Sequence, residues 1–151
     1  MKHLKSIILI ILIILFTTSF IILSIPHKFT LSDSEYEYSY DVIDYDKLSE
    51  LIDNKESFIV YTYNPYCSLP IRCDEIFKPV HEELGIRLYG IPYGEIRKTS
   101  IAKRIQYAPS VLLYKKGKLV TFLDPTKEEH KDTFQDQKLY KEWLTKYINT
   151  K

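Results

Sequence analysis

The stretch SVLLYKKGKLVTFLD, Ser110 to Asp124, constrains the fold more than any other part of the chain. Two apolar runs flank Lys116-Gly117, and a glycine in so short a connection supplies the positive φ that a tight antiparallel hairpin needs. A hairpin needs a sheet to join, and three upstream segments can supply one. SFIVYTY, Ser57 to Tyr63, is β-branched and aromatic with few polar residues, as expected of a central strand covered on both faces. IRLYGI, Ile86 to Ile91, reads as a second strand, and Tyr40 to Ile43 as a short third one.

Helical patterns separate these strands. Asp44 is a candidate N-cap for a helix carrying Leu48, Leu51 and Ile52 on one face. Cys73, Ile76, Phe77, Val80 and Leu84 form a buried stripe, with Pro79 predicted to kink the helix and Gly85 to end it. A third helix is predicted over Glu95 to Gln106 with Ile101, Ala102 and Ile105 inward, and a last one over Leu139 to Ile148 with Leu139, Trp143, Leu144, Tyr147 and Ile148 on one face. DPTKEEHKDTFQDQ between them reads as a polar connection. The order β-α-β-α-β-α-β-β-α implies an α/β fold, a central mixed sheet flanked by helices with the hairpin at one edge.

The chain begins with an apolar leader. Lys2, His3 and Lys5 precede about twenty uncharged residues, Ser6 to Ile25, enough for one transmembrane helix. The basic residues ahead of that run favour an inside N-terminus and an outside C-terminus. A cleaved signal peptide is the competing reading, but Ile21 to Ile25 offers no small-x-small site. Residues 1–25 are therefore expected to be an anchor or uncleaved signal, residues 26–38 an acidic, Ser- and Tyr-rich spacer, and residues 39–151 a single domain outside the cytoplasm, held at the cell membrane by the single span 6–25. With Lys2 and Lys5 set aside, 19 of the 21 basic side chains remain against 20 acidic ones. No basic field marks the chain as a nucleic-acid binder.

Both cysteines, Cys67 and Cys73, lie in YNPYCSLPIRC. Outside the cytoplasm such a pair can be oxidised and stay so. Residues six apart on a continuous helix have Cα atoms roughly 10 Å apart, whereas a disulfide needs less than about 7 Å. If the two are bonded, SLPIR is not helical throughout, and Pro70 and Ser68 suit a turn there. The helix then starts at or after Pro70, which leaves Cys67 some way from its N-terminal amides and its thiol less acidic than one held at them. Arg72 is either a cation set near a sulfur or a solvated side chain at the helix start.

The element order resembles the thioredoxin fold, and landmark residues agree over about Tyr40 to Ile148. FIVYTYNPYC is similar to that family's central strand running into an aromatic-cysteine motif, with Tyr66 before the first cysteine. Pro79 matches the helix-kinking proline, and APSVLLYKKGKLV resembles the cis-proline strand and hairpin, with Pro109 the candidate cis-proline. The resemblance implies thiol-disulfide exchange, with Cys67 as nucleophile, Cys73 as resolving thiol, and Tyr66, Ala108 and Pro109 facing an extended substrate segment. Its partners would be thiols or disulfides of exported proteins, and it implies no cofactor. The family spacing is Cys-x-x-Cys, three residues shorter than here, and Tyr61 stands where thioredoxins often carry a buried Asp.

Two other readings of the pair stay open. Cys73 shares the core stripe, so a structural bridge in a binding module without turnover is an alternative reading. Two thiolates could also hold Cu(I), with His81 or His130 as a distant ligand. The spacing of Cys and His gives no zinc pattern, and there is no Gly-rich phosphate loop or serine-nucleophile motif. KEEHKD, Lys127 to Asp132, reads as a solvated charge run.

Overall fold

The computed structural model describes residues 27–64 and 72–151, together with residues 11, 13 and 15. Five strands form one sheet: β1 (Tyr40–Val42), β2 (Phe58–Tyr63), β3 (Leu88–Pro92), β4 (Ser110–Lys115) and β5 (Lys118–Leu123). Their spatial order is β1-β3-β2-β4-β5. β2 pairs parallel with β3 and antiparallel with β4, so the sheet is mixed and β2 is central. The hairpin closes one edge through Lys116 and Gly117, both at positive φ (50° and 72°), as a two-residue turn of the primed type requires.

Alternation along β2 divides the core into two layers. Phe58 and Val60 face a layer completed by Leu112, Tyr114, Tyr89 and Ile91 and covered by α1 (Tyr45–Asp53). Ile59 and Tyr61 face the other layer, with Val111, Leu113 and Leu88, covered by α2 (Cys73–Leu84) and α4 (Gln137–Thr145). Asp44 caps α1 by accepting the Lys47 N–H at 2.9 Å, and Asp136 caps α4 by accepting the Leu139 N–H at 2.9 Å. Gly85, at φ 61°, ends α2 in the left-handed conformation, and the following Ile86 N–H donates to the His81 carbonyl at 3.0 Å.

Three local expectations need correction. The helix predicted over Glu95 to Gln106 is a single turn, α3 (Tyr93–Ile96), followed by a 3-10 turn, Ser100–Lys103. The Thr99 hydroxyl donates to the Ile96 carbonyl at 2.6 Å, taking up an acceptor that a longer helix would use, and the Tyr93 hydroxyl donates to the Ile105 carbonyl at 3.0 Å, tying the end of the segment back to its start. Ile105 is nonetheless buried, as its spacing suggested. In α4 the inward face carries Tyr140 with Trp143 and Leu144, while Leu139 is exposed. The polar connection ahead of it forms two 3-10 turns, Glu128–His130 and Asp132–Phe134, and buries Phe134 against Phe77.

The acidic segment after the leader is not a purely solvated spacer. Phe29 and Leu31 are buried in the layer under α2 and α4. Phe29 forms a parallel bridge to Ile148, its N–H donating to the Tyr147 carbonyl and its carbonyl accepting from Asn149, both at 2.8 Å. Glu35 is buried as well. It accepts the Tyr89 hydroxyl at 3.1 Å, its second oxygen lacks a partner, and burial raises its pKa.

Among the described residues no helix is long and apolar enough to cross a membrane. The expected span over 6–25 lies outside the described residues, except for Ile11, Ile13 and Leu15, which are helical and exposed.

Candidate functional site

Three chain segments meet at one end of the sheet. β2 ends at Tyr63, and its Thr62 is the register partner of Ser110, the first residue of β4. Pro109 therefore sits beside the end of β2, and the Ala108–Pro109 peptide bond is cis. The chain leaving β2 re-enters the described structure at Arg72 and starts α2 at Cys73, in agreement with a helix beginning after Pro70. Cys67 and Tyr66 lie outside the described residues, as does the turn expected at Ser68 and Pro70.

Cys73 is only 3% exposed, in the same core layer as Tyr61, Phe77 and Val111. It occupies the first turn of α2, directly after the Arg72 N-cap position. Pro79 has no N–H for the carbonyl of Glu75, four residues earlier. Gln137 fills that place, donating from Nε2 to the Glu75 carbonyl at 3.3 Å. The start of α4 is thus pinned to the turn of α2 that carries Cys73.

Charge around the helix start is largely self-compensated. Arg72 turns outward, 74% exposed, and forks onto Asp74 with Nε–Oδ1 at 3.1 Å and Nη2–Oδ2 at 3.2 Å. Lys78 reaches the same carboxylate at 3.0 Å. Partial burial opposes the charged form of Asp74, but the hydrogen bonds from Lys78 and Arg72 prevail and hold its pKa below the usual value. The Asp74 hydrogen bond in turn raises the Arg72 pKa. Arg72 is thus solvent-exposed at the helix start with Asp74 as its partner, and its placement relative to Cys67 lies outside the described residues.

Tyrosines line the approach. Tyr61 packs edge-on against Phe77, with ring centroids 5.2 Å apart, and lies 5.8 Å from Tyr63. Tyr40 stands under Lys78, whose Nζ is 4.0 Å from the ring, and burial pushes its pKa to about 12. Ala108 is half-buried and Pro109 buried, while the neighbouring Tyr107 is 56% exposed. Nothing in the sequence pattern singled out Tyr107; its place one residue before Ala108 is the only signal that could have.

Of the histidines, His81 is held in the core, whereas His130 follows the end of β5, where Leu123 is the register partner of Val111. His81 is fully buried on α2, its Nδ1 donating to the Arg87 carbonyl at 3.1 Å and its Nε2 accepting the Tyr140 hydroxyl at 2.8 Å. Burial lowers its pKa to about 4. His130 accepts the Asp124 N–H at 2.9 Å through Nδ1. Among the described residues no group of three or more His, Cys, Asp and Glu is placed to hold a metal ion.

No family model and no curated protein matches this sequence. Solved structures do match in fold. A thioredoxin variant from Halobacterium salinarum superposes with a TM-score of 0.50 at 18% identity, over 80% of this chain and 98% of its own. The J-Trx1 fragment of ERdj5 gives a TM-score of 0.52 at 13% identity, over 70% of this chain and 50% of its own. The domain has the thioredoxin fold.

Proposed function

We propose that this chain is a membrane-anchored protein that exchanges disulfides with exported proteins through Cys67 and Cys73, its domain outside the cytoplasm. The observation that supports it best is the meeting of the β2 end, the Ala108–Pro109 segment and the first turn of α2 at one end of the sheet, with Cys73 seated in that turn. In the reducing direction the Cys67 thiolate attacks one sulfur of a client disulfide, and the other client sulfur leaves as a thiolate. Cys73, deprotonated, then attacks the Cys67 sulfur, closing the Cys67–Cys73 bond and releasing the second client thiolate. Two electrons pass to the client, and a dithiol donor returns them. The oxidising direction is the reverse. Tyr66, Ala108 and Pro109 would contact the client segment, and the burial of Cys73 leaves it within reach of its own loop rather than of passing thiols.

A Cys73→Ser variant is expected to accumulate mixed disulfides through Cys67, recovered by non-reducing electrophoresis and mass spectrometry. Failure to trap any client through Cys67 counts against exchange. The burial of Cys73 in the core layer also supports a second reading, a structural bridge in a binding module. A reduction potential well below about −300 mV assigns the bridge to that class, and one near −200 mV to exchange. The Cu(I) reading loses His81 as its distant ligand, because both ring nitrogens are already engaged in the core.

A further inference from the structure

We propose that Glu35 is a proton-operated latch on the turn it belongs to, Ser32 to Tyr36: with its carboxyl group protonated the turn is held on the sheet, and with a charged carboxylate it lifts away. The turn is docked through main chain on two sides. The Ser32 N–H donates to the Ser57 carbonyl, just ahead of β2, and the Arg87 N–H donates to the Glu35 carbonyl, just ahead of β3, both at 2.9 Å. The Ser57 N–H returns to Ser32 Oγ at 2.8 Å. Between these ties the Glu35 side chain points into the protein and is 1% exposed, while its neighbours Asp33 and Ser34 are exposed. A small outward movement of the turn would therefore bring the carboxyl group to water.

The surroundings suit an acid better than an anion. Oε1 accepts the Tyr89 hydroxyl at 3.1 Å and the Ser34 hydroxyl at 3.2 Å, and Oε2 has no partner among the described residues. The cation acting on the group is Arg87 of β3, but its guanidinium is held elsewhere. Nε donates to Ser39 Oγ at 2.8 Å and faces Asp41 Oδ2 of β1 at 3.5 Å, and Nη1 donates to the Tyr89 hydroxyl at 3.3 Å. Arg87 thus reaches the carboxyl group only through Tyr89. The connection ahead of β2 adds the negative charge of Glu56. In the turn itself, Asp33 is paired with Lys151 at 3.6 Å. From α2, His81 donates from Nδ1 to the Arg87 carbonyl at 3.1 Å and is neutral near pH 7. Charging Glu35 in place leaves an anion with an unpartnered oxygen out of water, a penalty that lifting the turn removes. Burial outweighs the Tyr89, Arg87 and Ser34 contacts and raises the Glu35 pKa. With the folded pKa above the unfolded one, the latch is closed at pH 4.5 and below and opens as pH rises through the raised value. His81 acts in the opposite sense, since it charges as pH falls from 6.5 toward 4.

The latch involves neither cysteine, so it stands apart from disulfide exchange. Its test is amide exchange in the full chain, held in a neutral detergent, from pH 4.5 to about pH 8. Protection relative to the intrinsic rate is followed at Ser32 and Arg87, whose N–H groups make the two ties. Above the midpoint, protection at both is expected to fall by up to about tenfold per pH unit, as release of one proton requires, while amides of β2 keep theirs. The Glu35 carboxyl carbon, followed by NMR, should titrate with the same midpoint, above 4.5. In a Glu35→Gln variant, protection at Ser32 and Arg87 should no longer change with pH, and unchanged exchange in β2 certifies that variant as folded. Protection that is flat with pH in the parent overturns the latch, as does a Glu35 midpoint at or below 4.5. Loosening that persists in folded Glu35→Gln assigns it to another group and overturns the latch too. Should the variant not fold, the two midpoints of the parent decide alone, and a mismatch between them rejects the latch.

Discussion

His81 shows how a single side chain couples the core to pH. The Arg87 carbonyl can only accept, so Nδ1 carries the proton and Nε2 takes the Tyr140 hydroxyl; the neutral tautomer satisfies both partners. Protonation would put a charge in a fully buried site, which is why the pKa falls to about 4 from its ordinary value of 6.5. With the folded pKa below the unfolded one, the stabilisation is complete above pH 6.5 and is lost as pH falls from 6.5 toward 4. A single such group gives a slope of up to about 1.4 kcal/mol per pH unit in that window. His81→Gln keeps an acceptor for Tyr140 but cannot titrate. It should be less stable than the parent at pH 7.5, and the gap should close as pH drops through the window. Parallel urea-unfolding curves at pH 7 and pH 4.5 would refute the assignment. The sequence showed a lone histidine on a helix; its partners come from Tyr140 and Arg87, distant in the chain, and no local pattern announces them.

At the scale of elements, the parts legible in the sequence are those whose cause is local. The hairpin is one of them, since the positive φ of Lys116 and Gly117 follows from a two-residue connection between apolar runs. The stripe of α2 and its Gly85 end are another, and they locate Cys73 in the first turn. Pro109 beside the end of β2 followed from the order of the strands, through the resemblance. The spacing of Ile101, Ala102 and Ile105 suits the helix predicted over Glu95 to Gln106, while the Thr99 hydroxyl takes the Ile96 carbonyl and the Tyr93 hydroxyl holds the Ile105 carbonyl in a shorter, broken path. Gly117 is the sharpest test of the hairpin. A Cβ there would run into the Ile52 carbonyl at the end of α1, on a backbone that is already at φ 72°. Gly117→Ala should cost about 1–3 kcal/mol, combining the φ penalty with overpacking against main chain. Lys116→Gly relieves the neighbouring positive φ and should cost far less. Chemical denaturation of the two variants, compared at one pH, checks the order, and equal losses would show that the turn is not held against α1.

For the molecule as a whole, the segment after the leader decides how the domain is carried. Read from its acidic, tyrosine-rich composition, residues 26–38 were a solvated tether, and charge density hid the two apolar side chains that matter. Phe29 and Leu31 fill the layer under α4, and Tyr36 donates its hydroxyl to the Asn149 carbonyl at 2.9 Å. Lys151 then covers the Tyr36 ring at 4.2 Å, so both ends of the domain close on each other. A tether would let the domain tumble about its attachment point; a clasp transmits the direction of whatever precedes residue 27. Phe29 is 5% exposed, and truncating a buried phenylalanine removes both transfer energy and packing. Phe29→Ala should therefore cost about 3 kcal/mol in urea unfolding, with faster amide exchange at Asn149, whose N–H donates to the Phe29 carbonyl at 2.8 Å. A solvated tether predicts a change within about 0.5 kcal/mol and no effect at Asn149. That second result would free the domain to rotate on whatever precedes residue 27.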